Sequence, residues 1–253
     1  MQELPQEHSE RLRPLFAGFG HRLHGLIEAI CTPDFGTAWV DDVERPRVAV
    51  ANCDFWFVAG DPHTTAAASA LRVVERGAVV SERRHWYDLM RDRLGPRVTT
   101  RTRTGFSTPA PADWNRERLQ QLAGAVPEGY TIRRVTAPDI PSYMEVATEF
   151  VSNFRSVDAY LERGLGYGVW LGDRCVAGCS SYTLANGKLE VEIDTDPEHR
   201  RKGLARAVAA ALILHCLDAG IEPCWDAHNP ESAALALQLG FTDPMPYEVF
   251  VVG

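Results

Sequence analysis

The sequence predicts an α/β (α+β) protein, and three observations lead to this fold class. Stretches in which apolar and polar residues alternate, as in half-buried β-strands, are interspersed with longer stretches of helical periodicity. One strand pattern, residues 189–195, continues directly into a basic turn and a helix pattern over residues 204–218. A loop rich in proline and small residues, 107–113, separates this region from an N-terminal half with its own strands and helices.

The composition is that of a globular protein with a substantial core, since apolar residues make up 45% of its 253 residues. No segment reaches the roughly 18 uninterrupted apolar residues that a membrane span requires. The N-terminus, MQELPQEHSE, lacks the basic and apolar regions of a signal peptide. We therefore expect a cytoplasmic protein with no membrane partner.

The net charge and the spacing of cysteines and histidines indicate which ligands the protein can bind. A net charge of −8 disfavours nucleic acid, which needs a basic surface, and mildly favours a cationic small molecule. The six cysteines include no Cys-x-x-Cys pair, and no histidine spacing resembles a zinc site. We therefore expect no metal, and we expect the cysteines to be reduced and mostly buried thiols.

The loop at 107–113 marks a candidate domain boundary. A helix pattern runs from Trp114 to Ala125, with Asp113 as its expected N-cap. This arrangement predicts a smaller N-terminal α/β helper domain, residues 1–125, and a second domain, residues 126–253. In the N-terminal half the patterns predict helices at Glu10–Cys31, Thr64–Arg76 and Arg84–Leu94, and strands at Thr37–Val40, Arg47–Ala51, Asp54–Ala59, Ala78–Val80 and Arg97–Thr104.

The second half alternates strands and helices in a definite order. Before residue 189 the patterns predict strands at Tyr130–Val135, Gly166–Leu171 and Val176–Leu184, and helices at Asp139–Phe154 and Asp158–Arg163. After residue 218 they predict a strand at Ile221–Ala227, a helix opened by Asn229 and Ser232 and ended by Leu239-Gly240-Phe241, and a last strand at Tyr247–Val251.

The turn between the 189–195 strand and the next helix has the composition of a phosphate-binding site. Its residues Arg200-Arg201-Lys202-Gly203-Leu204-Ala205 follow the pattern Arg/Gln-x-x-Gly-x-Gly/Ala. The first turn of a helix offers backbone N–H groups without intrahelical partners, and the helix dipole attracts an anion there. Gly203 has no Cβ to keep the backbone away from a phosphate. The turn therefore predicts a pyrophosphate site.

This turn and the order of the elements after it resemble the coenzyme A binding motif of the GNAT N-acetyltransferase superfamily. The resemblance covers roughly residues 130–253, and the segments IDT and WDAHN are similar to a two-domain bacterial subgroup. It implies a GNAT fold with a mixed, mostly antiparallel sheet flanked by helices, and acetyl-CoA as co-substrate. The N-terminal half would close one side of the substrate cleft or act as a dimerisation or stability module, which makes a homodimer one alternative.

Carboxylates line one face of the strand before the turn, because side chains alternate along a strand. Glu190, Glu192 and Asp194 share this face, and the other face carries Leu189, Val191, Ile193 and Thr195. The resemblance implies that a carboxylate here is the general base for the amine, directly or through water, and both Glu190 and Glu192 are candidates. Mutual repulsion could raise the pKa of one of them. The alternative is a set of solvated surface charges.

The resemblance also implies the coenzyme contacts. The pantetheine arm would pair with the backbone of Ile193, Asp194 and Thr195 as an added strand does. A backbone N–H near Thr195 is the expected donor to the oxyanion of the tetrahedral intermediate. The other expected coenzyme-binding residues are Arg200, Arg201, Lys202, Gly203, Leu204, Ala205, Asn229 and Ser232.

One position departs from the family pattern. Many members place a Tyr four residues before the Gly of Leu-Gly-Phe as general acid to the departing thiolate, and this chain has Ala236 there. Ser232, one helical turn earlier, is the expected replacement, and its alternative role is a hydrogen bond at the helix start. The thiolate could also leave unaided. Trp225 either packs between sheet and helix or faces the acceptor.

These features predict an acetyl-CoA-dependent N-acetyltransferase that acts on a primary amine of a cationic small molecule. An aminoglycoside-type antibiotic, such as a kasugamycin-like aminosugar, or a polyamine would fit, and the former would make the protein an antibiotic resistance enzyme. The alternatives are a protein or peptide N-acetyltransferase and a non-catalytic acyl-CoA-binding sensor. Ala236 is the residue that favours the sensor.

Overall fold

Two compact units make up the computed structural model of the chain, which describes residues 1–20 and 23–253. The first unit comprises Met1–Gly105 with Met245–Gly253, and the second comprises Phe106–Pro244. The predicted domain division between residues 125 and 126 stays a prediction, while the segment 114–125 lies in the second compact unit. No helix within the described ranges is long and apolar enough to cross a membrane.

The first unit is a mixed sheet with helices packed on it. Its elements are strands β1 (Gln2–Glu3), β2 (Thr37–Val40), β3 (Val48–Cys53), β4 (Phe55–Gly60), β5 (Gly77–Val80) and all but the last two residues of β6 (Val98–Ser107), and helices α1 (Arg13–Phe16), α2 (His24–Ile30), α3 (Thr65–Ala70) and α4 (Arg84–Leu94). Strands β1 to β4 pair antiparallel in chain order, and β5 joins β4 in parallel. The last strand of the chain, Thr242–Val252, pairs antiparallel with β5. The buried side chains of Trp86 and Met90 pack α4 against this sheet.

Two predicted helices of the first unit are wrong in extent. Glu10–Cys31 is not one helix: its described part forms 3₁₀ turns at Gln6–Leu12 and Ala17–Phe19 and the short helices α1 and α2, and residues 21–22 lie outside the described ranges. Gly20 has a φ of 61°, which ends the helical path. Helix α3 ends at Ala70 instead of Arg76, because tighter turns follow, with Val73 N–H donating to Ala70 O.

The second unit contains a five-stranded sheet in the order β11-β10-β9-β8-β7. Its strands are β7 (Tyr130–Arg134), β8 (Gly166–Leu171), β9 (Arg174–Ala185), β10 (Lys188–Thr195) and β11 (Glu222–Cys224). Strands β7 to β10 pair antiparallel, whereas β10 and β11 are parallel. The remaining elements of the chain are α5 (Arg116–Gly124), α6 (Ile140–Val146), α7 (Val157–Arg163), α8 (Leu204–Ala219), β12 (Asp226–Ala227), α9 (Pro230–Leu239) and β13 (Thr242–Val252).

Helices cover both faces of this sheet. On one face α8 is apolar almost all round, and its Val208, Leu212 and Ile213 pack with Leu189 of β10. On the other face Tyr143 of α6 donates a hydrogen bond to the Cys179 carbonyl (3.0 Å), and its ring stacks on Phe150 at 4.4 Å between centroids. β10 is therefore enclosed by an apolar layer on one side and an aromatic, hydroxyl-bearing layer on the other.

The structure corrects several predicted elements of the second half. Helix Asp139–Phe154 is wrong as one helix: α6 ends at Val146, Ala147 is extended, and a 3₁₀ turn follows at Thr148–Phe150. The break lets the Phe150 carbonyl accept a hydrogen bond from Ser180 Oγ (2.6 Å).

Helix α5 is capped by Asn115, whose Oδ1 accepts from Arg118 N (2.9 Å), and not by Asp113, which lies in a preceding 3₁₀ turn. The strand expected at Ile221–Ala227 is interrupted at Trp225 into β11 and β12, and the last strand begins earlier, at Thr242.

We predict that Gly178→Ala destabilises the protein, because a Cβ at this position would lie 2.6 Å from Tyr143 Cε2 and would also clash with the Phe150 ring. Overpacking of this kind costs about 1–3 kcal/mol, measurable as a lower free energy of unfolding in urea. Gly124→Ala is the matched control, since a Cβ at Gly124 meets nothing within 4 Å. Equal stability of the two variants would contradict the tight packing of α6 on β9.

Candidate functional site

The parallel strands β10 and β11 separate after three residue pairs. Their register runs from Lys188↔Glu222 to Glu190↔Cys224, and β11 ends there. Within the described sheet, residues 191–195 of β10 have β9 as their only strand neighbour. The Asp196 N–H donates to Val176 O (2.9 Å) on the β9 side, so the N–H groups of Ile193 and Thr195 point to the opposite edge. This part of β10 presents an open backbone edge.

The carboxylates of β10 face the α6 side of the sheet. Glu192 is paired with Ser180 and Asp194 with Gly178, and directly paired residues project from the same face. Ser180 and Gly178 contact the Tyr143 and Phe150 layer. The β9–β10 pairing contains one β-bulge, at which the register moves from Glu190↔Thr183 to Val191↔Ser181. The extra, unpaired residue of the bulge is therefore Tyr182 of β9. The alternation along β10 itself is therefore unbroken.

The two glutamates differ in burial and in their position relative to the open edge. Glu190 is only 4% exposed and lies in the paired segment opposite Cys224. Glu192 is half-buried and lies in the separated segment. Burial, followed by the charge of Glu190, raises the pKa of the Cys224 thiol well above its usual value. A thiol with such a pKa stays protonated at neutral pH, so Cys224 is a poor nucleophile.

Asp194 and Arg200 already bond to the end of β10. Asp194 Oδ1 accepts from the Thr195 N–H (2.6 Å), which is one of the two N–H groups on the open edge. Arg200 Nε donates to the Thr195 carbonyl (2.9 Å), and its Nη2 lies 3.4 Å from Asp194 Oδ1. Thr195 Oγ1 is buried and has no hydrogen-bond partner within the described residues. At the end of β10, the Thr195 N–H is thus already hydrogen-bonded, whereas the Thr195 hydroxyl can still form a hydrogen bond.

The turn before α8 combines an uncapped helix end with left-handed backbone. Arg201 and Gly203 have φ values of 63° and 79°, and no side chain caps the N-terminus of α8. Alternating left-handed residues turn successive N–H groups inward and form an anion-binding concavity. The Arg201 side chain is exposed. The backbone N–H groups and the positive charges of this turn could therefore bind an anion.

Arg206 is a residue of this turn that the sequence reasoning missed. Its guanidinium lies 3.5 Å from the position of a Cβ on Gly203, and its Nη1 donates to Gln238 Oε1 of α9 (3.0 Å). Arg206 stands one residue beyond the recognised motif, and the helical spacing from Gly203 places it in the first turn of α8. That spacing is the sequence signal by which it could have been found.

Lys202 is held on the other flank of the turn. Its Nζ donates to Tyr130 Oη (3.1 Å) and lies 3.4 Å from the Glu198 carbonyl. The Tyr130 hydroxyl also contacts His199 Nδ1 at 2.9 Å. Tyr130 and His199 are functional candidates that the sequence did not reveal, because 69 residues separate them along the chain.

Helix α9 begins close to the end of β11. Asn229 is its N-cap, and its Oδ1 accepts from Ser232 N (2.7 Å). Ser232 Oγ accepts from the indole Nε1 of the buried Trp225 (3.2 Å), which leaves the hydroxyl proton available to another acceptor. Ala236 is fully buried in the apolar core. The first turn of α9 thus carries a hydroxyl whose proton is available, whereas position 236 carries no polar group.

Comparison with known proteins places these features in a family. A GNAT acetyltransferase family model matches residues 13–250. A protein of Bacillus subtilis (strain 168), described as the uncharacterized N-acetyltransferase YdfB, is 27% identical over 232 residues, which cover 86% of each chain. The crystal structure of a GCN5-related N-acetyltransferase-like protein from Streptococcus suis 89/1591 superposes with a TM-score of 0.81 at 29% identity, covering 98% of this chain and 100% of the other.

A GCN5-related N-acetyltransferase from Kribbella flavida is similar in fold alone, with a TM-score of 0.62 at 16% identity over 96% of this chain and 95% of that one. The family and the fold class expected from the basic turn and from the order of elements are thereby confirmed. The sheet is mixed and mostly antiparallel, with helices on both faces. The chain belongs to the GNAT acetyltransferase family.

Proposed function

We propose that this protein transfers the acetyl group of acetyl-CoA to a primary amine of a cationic small molecule. The observation that carries the proposal is the open edge of β10 beside the uncapped N-terminus of α8. An extended amide chain can pair with the edge, and a pyrophosphate can bind the helix N-terminus. These are the two parts of coenzyme A that a protein must hold to align its thioester.

The residues present fit this coenzyme. The backbone of Ile193, Asp194 and Thr195 would pair with the pantetheine amides, and the buried Thr195 Oγ1 offers an unused hydrogen-bonding group beside them. Gly203, Leu204 and Ala205 would present their N–H groups to the pyrophosphate, with the guanidinium groups of Arg201 and Arg206 adding charge. Arg200 would act differently from the sequence-based expectation, since it stabilises the end of β10.

The side chains of the site can carry both proton transfers of the reaction. Acetyl-CoA supplies the acetyl group as a thioester. Glu192, on the carboxylate face of the open segment, would accept the proton that the amine loses as its nitrogen bonds to the acyl carbon. Backbone N–H groups of the β10 edge would stabilise the negative charge on the acyl oxygen. Ser232, one lone pair of which accepts from Trp225, would donate a proton to the coenzyme sulfur as the C–S bond breaks, and its oxygen would regain a proton from solvent.

The acceptor proposed is a polycation, such as an aminoglycoside-type antibiotic or a polyamine. Three carboxylates on one face of β10, in a chain of net charge −8, support a cationic ligand. The proposal includes a cytoplasmic location, and the six buried, unpaired cysteines suit a reducing compartment.

The test is thiol release from acetyl-CoA with a panel of aminoglycosides including kasugamycin, polyamines, free amino acids and a lysine peptide. Turnover with a cationic small molecule is the expected result. Turnover with the peptide alone would favour a protein acetyltransferase, and acetyl-CoA binding without turnover would favour a sensor.

Gly203→Val should weaken acetyl-CoA binding at least tenfold in a calorimetric titration. A β-branched residue is strained at a φ of 79°, and relief of that strain would move the N–H groups of the turn. Gly220→Val is the control, because Gly220 has a φ of 69° at the opposite end of α8 with open space around it. Equal affinities of the two variants for acetyl-CoA would show that the pyrophosphate does not bind at the Gly203 turn.

Glu192→Gln should lower kcat by about 10²–10⁴-fold with little change in the KM for acetyl-CoA, because the amide cannot accept the amine proton. Glu190→Gln, in the paired segment, should have a smaller effect on kcat. Unchanged rates in both variants would show that neither glutamate is the base. A larger loss in Glu190→Gln would reverse the assignment between the two.

Asp194→Ala should bind acetyl-CoA more tightly, by about fivefold, because the Thr195 N–H no longer bonds to a carboxylate that the pantetheine must displace. Glu198→Gln controls for the charge, since it removes one negative charge near the turn without touching that N–H. Equal tightening in both variants would mean that charge alone is responsible, and weaker binding of Asp194→Ala would contradict the competition.

A further inference from the structure

Three side chains outside the motif form one hydrogen-bonded cluster beside the turn. Lys202 Nζ lies 3.1 Å from Tyr130 Oη, and Tyr130 Oη lies 2.9 Å from His199 Nδ1. The cluster joins β7 to the segment between β10 and α8.

The chemistry of an ammonium fixes the direction of one of these hydrogen bonds. An ammonium can only donate, so the Tyr130 oxygen accepts from Lys202. The Tyr130 hydroxyl can donate to His199 Nδ1 or accept from it, depending on which ring nitrogen carries a proton. In either case His199 holds the phenol whose oxygen accepts from Lys202.

The fold fixes the His199 end of this hydrogen-bonded cluster. His199 is 9% exposed, and its backbone N–H donates to Asp196 O (2.8 Å) in the 3₁₀ turn Pro197–His199. Tyr130 begins β7, where it is paired with Leu171 of β8. A buried imidazole and a strand end therefore hold the phenol in place.

We propose that Tyr130 and His199 are positioning residues that hold the Lys202 ammonium for a phosphate of the coenzyme, an inference that rests on the proposed function. An ammonium has three N–H donors. Two are directed at Tyr130 Oη and the Glu198 carbonyl, which leaves the third for a phosphate oxygen. A lysine side chain otherwise loses rotamer freedom on binding, and ordering it beforehand strengthens binding by lowering that cost.

The test measures the acetyl-CoA dissociation constant by calorimetry and kcat by thiol release, on the full chain. Tyr130→Phe keeps the ring and removes the hydroxyl, and it should raise the dissociation constant and KM about fivefold, the effect of one hydrogen bond, with kcat within about twofold. In a Lys202→Gln background, Tyr130→Phe should have no further effect. His199→Leu should resemble Tyr130→Phe, whereas His199→Asn, whose amide can both donate and accept, should bind acetyl-CoA nearly as tightly as the wild-type protein.

The chain supplies a matched control in Tyr167→Phe. The Tyr167 hydroxyl also bonds to a histidine, His215 Nδ1 at 3.0 Å, but this pair lies on β8 and α8 without a lysine. Tyr167→Phe should change thermal stability as Tyr130→Phe does and leave the dissociation constant unchanged.

Unchanged affinity in Tyr130→Phe, or equal losses with and without Lys202, would overturn the positioning role. Absence of acetyl-CoA binding by the wild-type protein would instead contradict the proposed function itself.

Discussion

The separation of β10 from β11 after Glu190 is the constraint on which the site depends. A strand in the middle of a sheet has its backbone groups paired on both sides, and such a strand offers nothing to a ligand. Here β11 ends at Cys224, and residues 191–195 keep their pairing with β9 alone. The open edge and its carboxylates begin directly after this point, and α8 starts at Leu204, after the turn that follows β10.

The carboxylates of β10 and the cations of the following turn would serve different ligands, the amine and the phosphates of the coenzyme. Glu192 and Asp194 project toward the α6 side of the sheet, where an amine would be held and deprotonated. The turn after Thr195 carries cations and helix N–H groups, which suit phosphates. The hydrogen bond from the Thr195 N–H to Asp194 joins the two regions, because it occupies an N–H that coenzyme binding would require.

The family and the fold class could be predicted from the sequence, whereas predictions failed where tertiary contacts decide the local structure. The basic turn with Gly203 and the order of the elements after it can be read directly from the sequence, and they identified the family and the fold. The break after Val146 was missed because helical periodicity continues past it, while the deciding contact is Ser180 with the distant Phe150 carbonyl. Asn115, and not Asp113, caps α5, a difference of two residues that propensity alone does not resolve.

The roles of the basic residues in the turn were also not predictable from the sequence. Three cations in the turn appeared equivalent in the sequence. In the structure Arg200 bonds to β10, Lys202 bonds to Tyr130, and Arg206, outside the motif, lies against Gly203. Lys202 and Arg206 bond to Tyr130 and Gln238, which lie 72 and 32 residues away along the chain, so the turn alone could not reveal these partners. Arg200 bonds to Thr195, only five residues away, but its position in the motif does not show that its side chain folds back onto β10.

Hydrogen–deuterium exchange of the full chain, with and without saturating acetyl-CoA, tests the coenzyme-binding edge most directly. Binding along the open edge of β10 and on the start of α8 predicts slower exchange in peptides covering residues 191–207. Strands β2 and β3 should exchange at unchanged rates. Protection in other segments with none in residues 191–207 would contradict the placement of the coenzyme.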